Sequence, residues 1–417
     1  MVDSPFRDAP TGPPTGPGTE SIGQVPVLDI SPLVDTTPLV DAAPLDDTAP
    51  LDDTDARSPL SRPDPAAARV GTELAEAAQE PGVFQVVGHG VDPALRAALQ
   101  DAAREFFALP DEIKSTIAMA HAGRAWRGWF PLRGELTGGV PDLKEGLYFG
   151  TDLDEDDPRV RAGWPLHGAN LYPQHPAALA RLVPEWMAAV TAVGHAVLRG
   201  LGLGLGLGAE AIAGWCSDPT VLFRIFHYPA IDRSVVGLDT DGVGNDGTWG
   251  VGEHTDYGLL TLLAQDDSGG LQVQLPAADG DRWVDVPPVQ DAFVANLGDM
   301  IERLSGGRLV ATPHRVAPQG TDRISMPLFL DPGWDVEIST LDGLLPPSGR
   351  SARRRWDDED VHAIEGPYSR YLLSRVSRVF PGLSDHLTPG DASTGAAPTA
   401  NRVADTGSDG ETAHRDG

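Results

Sequence analysis

The chain has 417 residues, an apolar content of 41% and a formal net charge of −30. That composition is globular, with room for one large domain or two ordinary ones, and the acidity argues against nucleic acid or an anionic membrane as partner, since both repel it. The single cysteine, Cys216, excludes an intrachain disulfide and cysteine-held structural zinc, so a metal would need nitrogen and oxygen ligands.

Residues 1–24 are rich in Pro, Gly, Ser and Thr and lack the basic-then-apolar pattern of a signal peptide. The sequence shows no run of about 18 apolar residues to span a bilayer, so a soluble, cytoplasmic protein is expected. From Asp35 to Pro65 the chain repeats a Pro-Leu-(Val/Asp)-Asp theme, PLVDAAPLDDTAPLDDTD, whose seven aspartates between Asp35 and Asp55 meet no basic residue. Such a segment buries too little apolar area to offset its ordering entropy and is expected to be linker. The tail from about Pro389 to Gly417 has the same character.

Helical patterns dominate from Ala66 to about Trp215: Ala66–Gln79, Asp92–Ala108 with Asp92 as N-cap and Pro93 at the first helical position, and Pro176–Leu203. One strand, Val83–Val87, lies between the first two. The run LGLGLGLG at 201–208 lacks both the Lys-Ser/Thr ending and the preceding strand of a phosphate loop, which leaves a helix end. Beyond Thr220 come short strands with turn signals between them: Val221–Tyr228, Leu259–Ala264, Leu271–Leu275, Trp283–Val286, Phe293–Asn296, Arg308–Val316, Arg323–Leu330 and Val336–Ile338. This spacing suggests a sandwich or jelly-roll barrel. An amphipathic helix, Pro367–Phe380, closes the ordered part.

His-x-Asp alone carries little weight, since about one chance match is expected, and His414-Arg415-Asp416 in the tail is such a decoy. His254-Thr255-Asp256 differs because it sits at the edge of a strand, where positions two apart face the same side. His314, in a later strand, is the candidate third ligand. Two imidazoles and one carboxylate on one face leave about three positions of an iron ion open. Arg323 and Ser325 share a strand face, and a guanidinium beside a hydroxyl makes a clamp for a carboxylate. Tyr228, before Pro229, offers a second hydroxyl.

This combination resembles the iron- and 2-oxoglutarate-dependent dioxygenase superfamily, specifically its isopenicillin N synthase-like branch. VPVLDISPL, EPGVFQVVGHGV, FFALP, GELTGGVPDLKEGLYFG, FHYP, GEHTDYGLLTLLAQDDSGGLQV, NLGDMIERLSGG and ATPHRV follow in family order over roughly residues 24–385. The resemblance implies a mainly β fold with flanking α: a double-stranded β-helix (jelly-roll) core at 216–340, an N-terminal α/β region at 25–215 interrupted by the acidic insertion 35–65, a C-terminal helix region at 341–388 and a disordered tail at 389–417. It implies Fe(II) on His254, Asp256 and His314, 2-oxoglutarate gripped by Arg323, Ser325 and Tyr228, and O2-driven oxidation of a small-molecule substrate with release of succinate and CO2. A monomer or weak oligomer is expected.

One departure is Phe226-His227-Tyr228-Pro229 where plant members often carry Asn-Tyr-Tyr-Pro; alternation points His227 away from the site. Substrate contacts are sought among Trp126, Arg127, Trp129, Glu135, Thr137, Arg224, Tyr257 and Phe329. Arg224 facing inward would favour an acidic substrate, and Glu135 an amine or guanidine. Isopenicillin N synthase carries the Arg-x-Ser pair without using 2-oxoglutarate, so an iron oxidase of that type stays open. So do ethylene/succinate-forming activity, a non-catalytic sensor of small acids, and a zinc hydrolase.

Overall fold

The structure, a computed structural model, describes residues 25–34, 64–231, 249–277, 280–341, 344, 357 and 359–387. The N-terminal segment 1–24, the acidic repeat up to residue 63, and the tail with its His414 decoy lie outside the described residues.

In chain order the elements that build the site's frame are β1 (Val27–Asp29), α1 (Pro65–Gln79), β2 (Val83–Val87), α2 (Pro93–Phe107), β3 (Gly128–Phe130), β4 (Glu145–Gly150) and α3 (Leu179–Gly204). They continue with β5 (Thr220–Tyr228), β6 (Val251–His254), β7 (Leu260–Gln265), β8 (Leu271–Leu275), β9 (Arg282–Asp285), β10 (Phe293–Leu297), β11 (His314–Val316), β12 (Arg323–Asp331) and α4 (Tyr368–Val379). Eight strands form one sheet in the order β1-β2-β10-β7-β12-β5-β4-β3, and four form a second in the order β9-β8-β11-β6. Apart from the parallel pair β1–β2, every pairing in these sheets is antiparallel. The jelly-roll core is thus present, and its larger sheet is extended by strands from the N-terminal half.

Local chemistry accounts for the helix starts. The Asp64 and Asp92 carboxylates accept the backbone N–H groups of Ala66 and Ala94, and Pro65 and Pro93 open the two helices. Helix α3 is long and apolar enough to cross a membrane by length and composition, a feature not evident as an unbroken apolar run because Arg181, Glu185, His195 and Arg199 interrupt it. In this fold it is a core helix. It backs the large sheet, with Gly194 against Leu330 and Leu262, and it crosses α1 closely. At that crossing a Cβ on Gly204 would lie 1.9 Å from the Gly71 carbonyl oxygen, so this glycine of the 201–208 run serves helix packing.

Two expected strands differ. Of Arg308–Val316 only His314–Val316 is strand. The backbone before it is held elsewhere: Val310 N–H donates to Ala78 O, Leu309 N–H to Ser305 Oγ and Ala311 N–H to Glu302 Oε2. Val336–Ile338 is no strand either, since Glu337 makes only an isolated bridge with Pro367. Conversely β3 and β4 were hidden in a stretch with helical patterns on both sides.

Candidate active site

On β5 and β12, residues alternate between the two faces of the large sheet. Leu222, Arg224, Phe226 and Tyr228 with Arg323, Ser325, Pro327, Phe329 and Asp331 line one cavity. The intervening Phe223, Ile225, Ile324, Met326, Leu328 and Leu330 are buried in the hydrophobic core. The smaller sheet closes the cavity from the other side.

There His254 on β6 and His314 on β11 are direct cross-strand partners, with ring centroids 4.2 Å apart. Their nitrogens and an Asp256 carboxylate oxygen all lie within 4.8 Å of one another. Each imidazole Nδ1 is engaged by a carbonyl two residues earlier, His254 with Gly252 O at 2.8 Å and His314 with Thr312 O at 3.1 Å. An Nδ1–H donor leaves Nε2 as the free acceptor. Burial, and then the neighbouring His314, hold the His254 imidazole far below its ordinary pKa, so it is neutral, as a metal ligand must be. Asp256 Oδ2 is buried without a hydrogen-bond partner, which is costly unless a cation or donor meets it. Two imidazoles and one carboxylate whose second oxygen is orphaned fit a divalent iron ion.

Deeper along the same wall, Arg323 is 1% exposed. Its Nε donates to Gly269 O at 2.8 Å, its guanidinium lies over the Tyr228 ring at 4.7 Å, and one terminal nitrogen, Nη1, is buried with no partner. Ser325 lies two residues on, on the same face.

Two family models match the chain: one described as "non-haem dioxygenase in morphine synthesis N-terminal" over residues 50–175, and one described as the "2OG-Fe(II) oxygenase superfamily" over residues 221–332. A probable iron/ascorbate oxidoreductase of Dictyostelium discoideum is 39% identical, with 76% of this chain and 91% of that protein aligned. The chain belongs to the 2OG-Fe(II) oxygenase superfamily. It is a non-haem Fe(II) enzyme that uses 2-oxoglutarate and O2. A homoarginine-6-hydroxylase of Glycine max is 34% identical over 76% of this chain and 88% of its own length. Among solved structures, a full-length Neurospora crassa protein in complex with alpha-KG and 5-formyluracil shares the fold, with a TM-score of 0.64 and 22% identity over 86% of this chain and 98% of that one.

Of the residues singled out from sequence, this oxygenase brings His254, Asp256, His314, Arg323, Ser325, Tyr228, Arg224, Tyr257, Phe329, Glu135 and Thr137 to one cavity. Arg127 is a correction. It turns away from the cavity, and its guanidinium donates to the carbonyls of Thr151, Leu166 and Gly168 and to Asn170 Oδ1. Four loop acceptors make it a structural clamp, and burial pulls its pKa down to about 10. Trp126 packs against Phe380 and His386, and Trp129 donates to Glu145 at 2.9 Å. His227 points away, bonded to Glu145 and stacked on Phe107.

Sequence reasoning missed Lys144, Asn296 and Asp331, all lining the cavity. Counting by twos from Arg323 would have reached Asp331. Lys144 had no such signal, because β4 was not recognised as a strand.

Proposed function

We propose that this oxygenase hydroxylates a small polar molecule while 2-oxoglutarate is converted to succinate and CO2. His254, Asp256 and His314 hold the iron; Arg323, with Ser325 and Tyr228, receives the distal carboxylate of 2-oxoglutarate. The observation that carries this reading is the buried, unpartnered Arg323 Nη1 in the same cavity as the triad. Among the described residues no carboxylate lies within ion-pair distance of Arg323, and a buried guanidinium calls for an anion.

Iron bound at the triad supplies the coupling of O2 reduction to 2-oxo acid decarboxylation and substrate oxidation. The chain's own contribution is positional. Carbonyls two residues before each histidine orient the imidazoles, Arg323 anchors the cosubstrate by its far end, and the two sheets exclude water. The relative named a homoarginine-6-hydroxylase supports hydroxylation of an amino acid as the first reaction to examine.

The test is an anaerobic titration of the Fe(II)-loaded protein with 2-oxoglutarate, followed by visible absorption. Chelation of a 2-oxo acid gives a charge-transfer band that carboxylate binding alone does not. The band is expected, and Arg323→Ala should demand about a hundredfold more 2-oxoglutarate, the scale of removing one partner of a buried charge pair. Iron binding without a band, with substrate still oxidised, would instead establish an oxidase of the isopenicillin N synthase type.

A further inference from the structure

Resting on that reading, we infer that Arg224 is the specificity-determining residue of the prime-substrate site, and that it receives a carboxylate of the substrate. Arg224 lies on the same cavity-facing row of β5 as Tyr228, four residues earlier. At about 3.3 Å per residue this places the two Cα atoms roughly 13 Å apart, which separates Arg224 from the cosubstrate clamp. It is therefore a second cationic site in one cavity.

Its surroundings select the ligand. The guanidinium is held between two aromatic faces, with its central carbon 4.1 Å from the Tyr148 ring centroid and 4.7 Å from that of Phe329. Stacking fixes the plane and covers both faces, so only the N–H edge is available, and an edge of parallel N–H groups matches a carboxylate. Among the described residues that edge is not satisfied. Arg224 Nε is buried with no partner, and among the described residues the one carboxylate within ion-pair distance, Glu135, is 4.0 Å away, beyond hydrogen-bond range.

Glu135 is also committed elsewhere, to Lys144 at 2.8 Å and the Tyr148 hydroxyl at 2.5 Å. It balances the charge of the cluster without filling the hydrogen bonds of Arg224. This bears on the choice between acid and amine that the sequence left open. Both Arg224 and Glu135 face the cavity, but Glu135 is neutralised by the Lys144 ammonium 2.8 Å from Oε2 and its Oε1 accepts from the Tyr148 hydroxyl, whereas Arg224 Nε has neither an ion pair nor a hydrogen bond.

The experiment uses the full chain loaded with Fe(II) and 2-oxoglutarate under anaerobic conditions. Probes are a panel of amino acids and simple aliphatic acids, each paired with its carboxamide, read by perturbation of the charge-transfer band and then by succinate release in air. At least one acid should bind while its amide does not. Arg224→Gln should weaken that acid on the order of a hundredfold and leave the 2-oxoglutarate affinity within about threefold of wild type; Arg224→Lys should recover part of the loss. Equal binding of an acid and its amide, an Arg224→Gln variant that oxidises the same acid with unchanged KM, or a panel in which no acid responds would overturn the inference. A missing band in the wild type before any probe is added would instead sink the cosubstrate reading, so the two failures are distinguishable.

Discussion

His254 and His314 stand directly opposite one another on antiparallel strands, and each is tied through Nδ1 to a carbonyl two residues before it. The metal-facing nitrogens are therefore set by the register of one strand pair. Asp256 joins them from the loop after β6, where its carbonyl accepts the Asp299 N–H at 2.8 Å. The ligand set depends on backbone contacts that sequence inspection alone does not display.

Metal binding should follow this geometry. With Mn(II) as a redox-inert probe at a hundred times its Kd, the wild type should gain about 2.7 kcal/mol of stability, seen as a higher Tm. His314→Ala should lose that gain, whereas Tyr257→Phe, which changes the cavity but not the triad, should keep it. A metal-induced shift that survives in His314→Ala would contradict the assignment of His314.

The shared faces of Arg323 with Ser325 and of Tyr228 with Arg224 were legible in sequence because strand residues two or four apart face the same side, whereas Asp256, in the loop after β6, was reached by its spacing from His254 alone. What was not legible depends on partners distant in the chain. The segment before His314 looks like strand by composition, yet its backbone bonds go to Ala78, Ser305 and Glu302. Arg127 illustrates the same limit, since a buried arginine reads alike whether its acceptors are loop carbonyls or a substrate.

Glu145 should make stability depend on pH. Burial alone would raise its pKa, but hydrogen bonds from His227, Lys114 and Trp129 outweigh burial and hold the carboxyl below its ordinary value of 4.5. A carboxyl depressed in the folded state contributes stability above its unfolded pKa and loses it as pH falls through the folded one. Thermal melts from pH 6 downward should therefore show a steep fall below about 4.5 in the wild type. Glu145→Gln should melt lower at pH 6 and show a shallower dependence. Parallel curves for the two proteins would remove Glu145 as a contributor.

The crossing of α1 and α3 gives a paired test of packing. A Cβ at Gly204 would stand 1.9 Å from the Gly71 carbonyl oxygen, while a Cβ at Gly214 meets nothing within 4 Å. Gly214 also has helical backbone angles, φ −60 and ψ −25. Gly204→Ala should destabilise by about 1–3 kcal/mol or more, because two backbones must separate. Gly214→Ala should be neutral or stabilising by up to about 1 kcal/mol. Denaturant unfolding of both variants would settle the contrast, and equal effects would mean the helices do not cross as closely as described.

Lys144 carries the largest electrostatic consequence in the cavity wall. Its ammonium is fully buried, 2.5 Å from Asp142 Oδ2 and 2.8 Å from Glu135 Oε2. Burial would lower its pKa, yet these two carboxylates raise it above the ordinary lysine value, so it stays charged. Asp142 in turn accepts from the Thr137 hydroxyl and, at 3.4 Å, from the Gly252 N–H, two residues before His254. Lys144→Met would leave the Asp142 and Glu135 carboxylates facing each other with only Arg224, 4.0 Å from Glu135, as counter-charge, and removing one partner of a buried pair costs about 3–5 kcal/mol. The strand bearing His254 would also lose part of its support, so metal affinity should fall about 10–100-fold, the usual scale for groups behind the ligands. The double variant Lys144→Met/Asp142→Asn removes the like-charge contact and should regain part of the stability. If it is instead as unstable as the single variant, lost packing of the lysine stem rather than charge would be the cause.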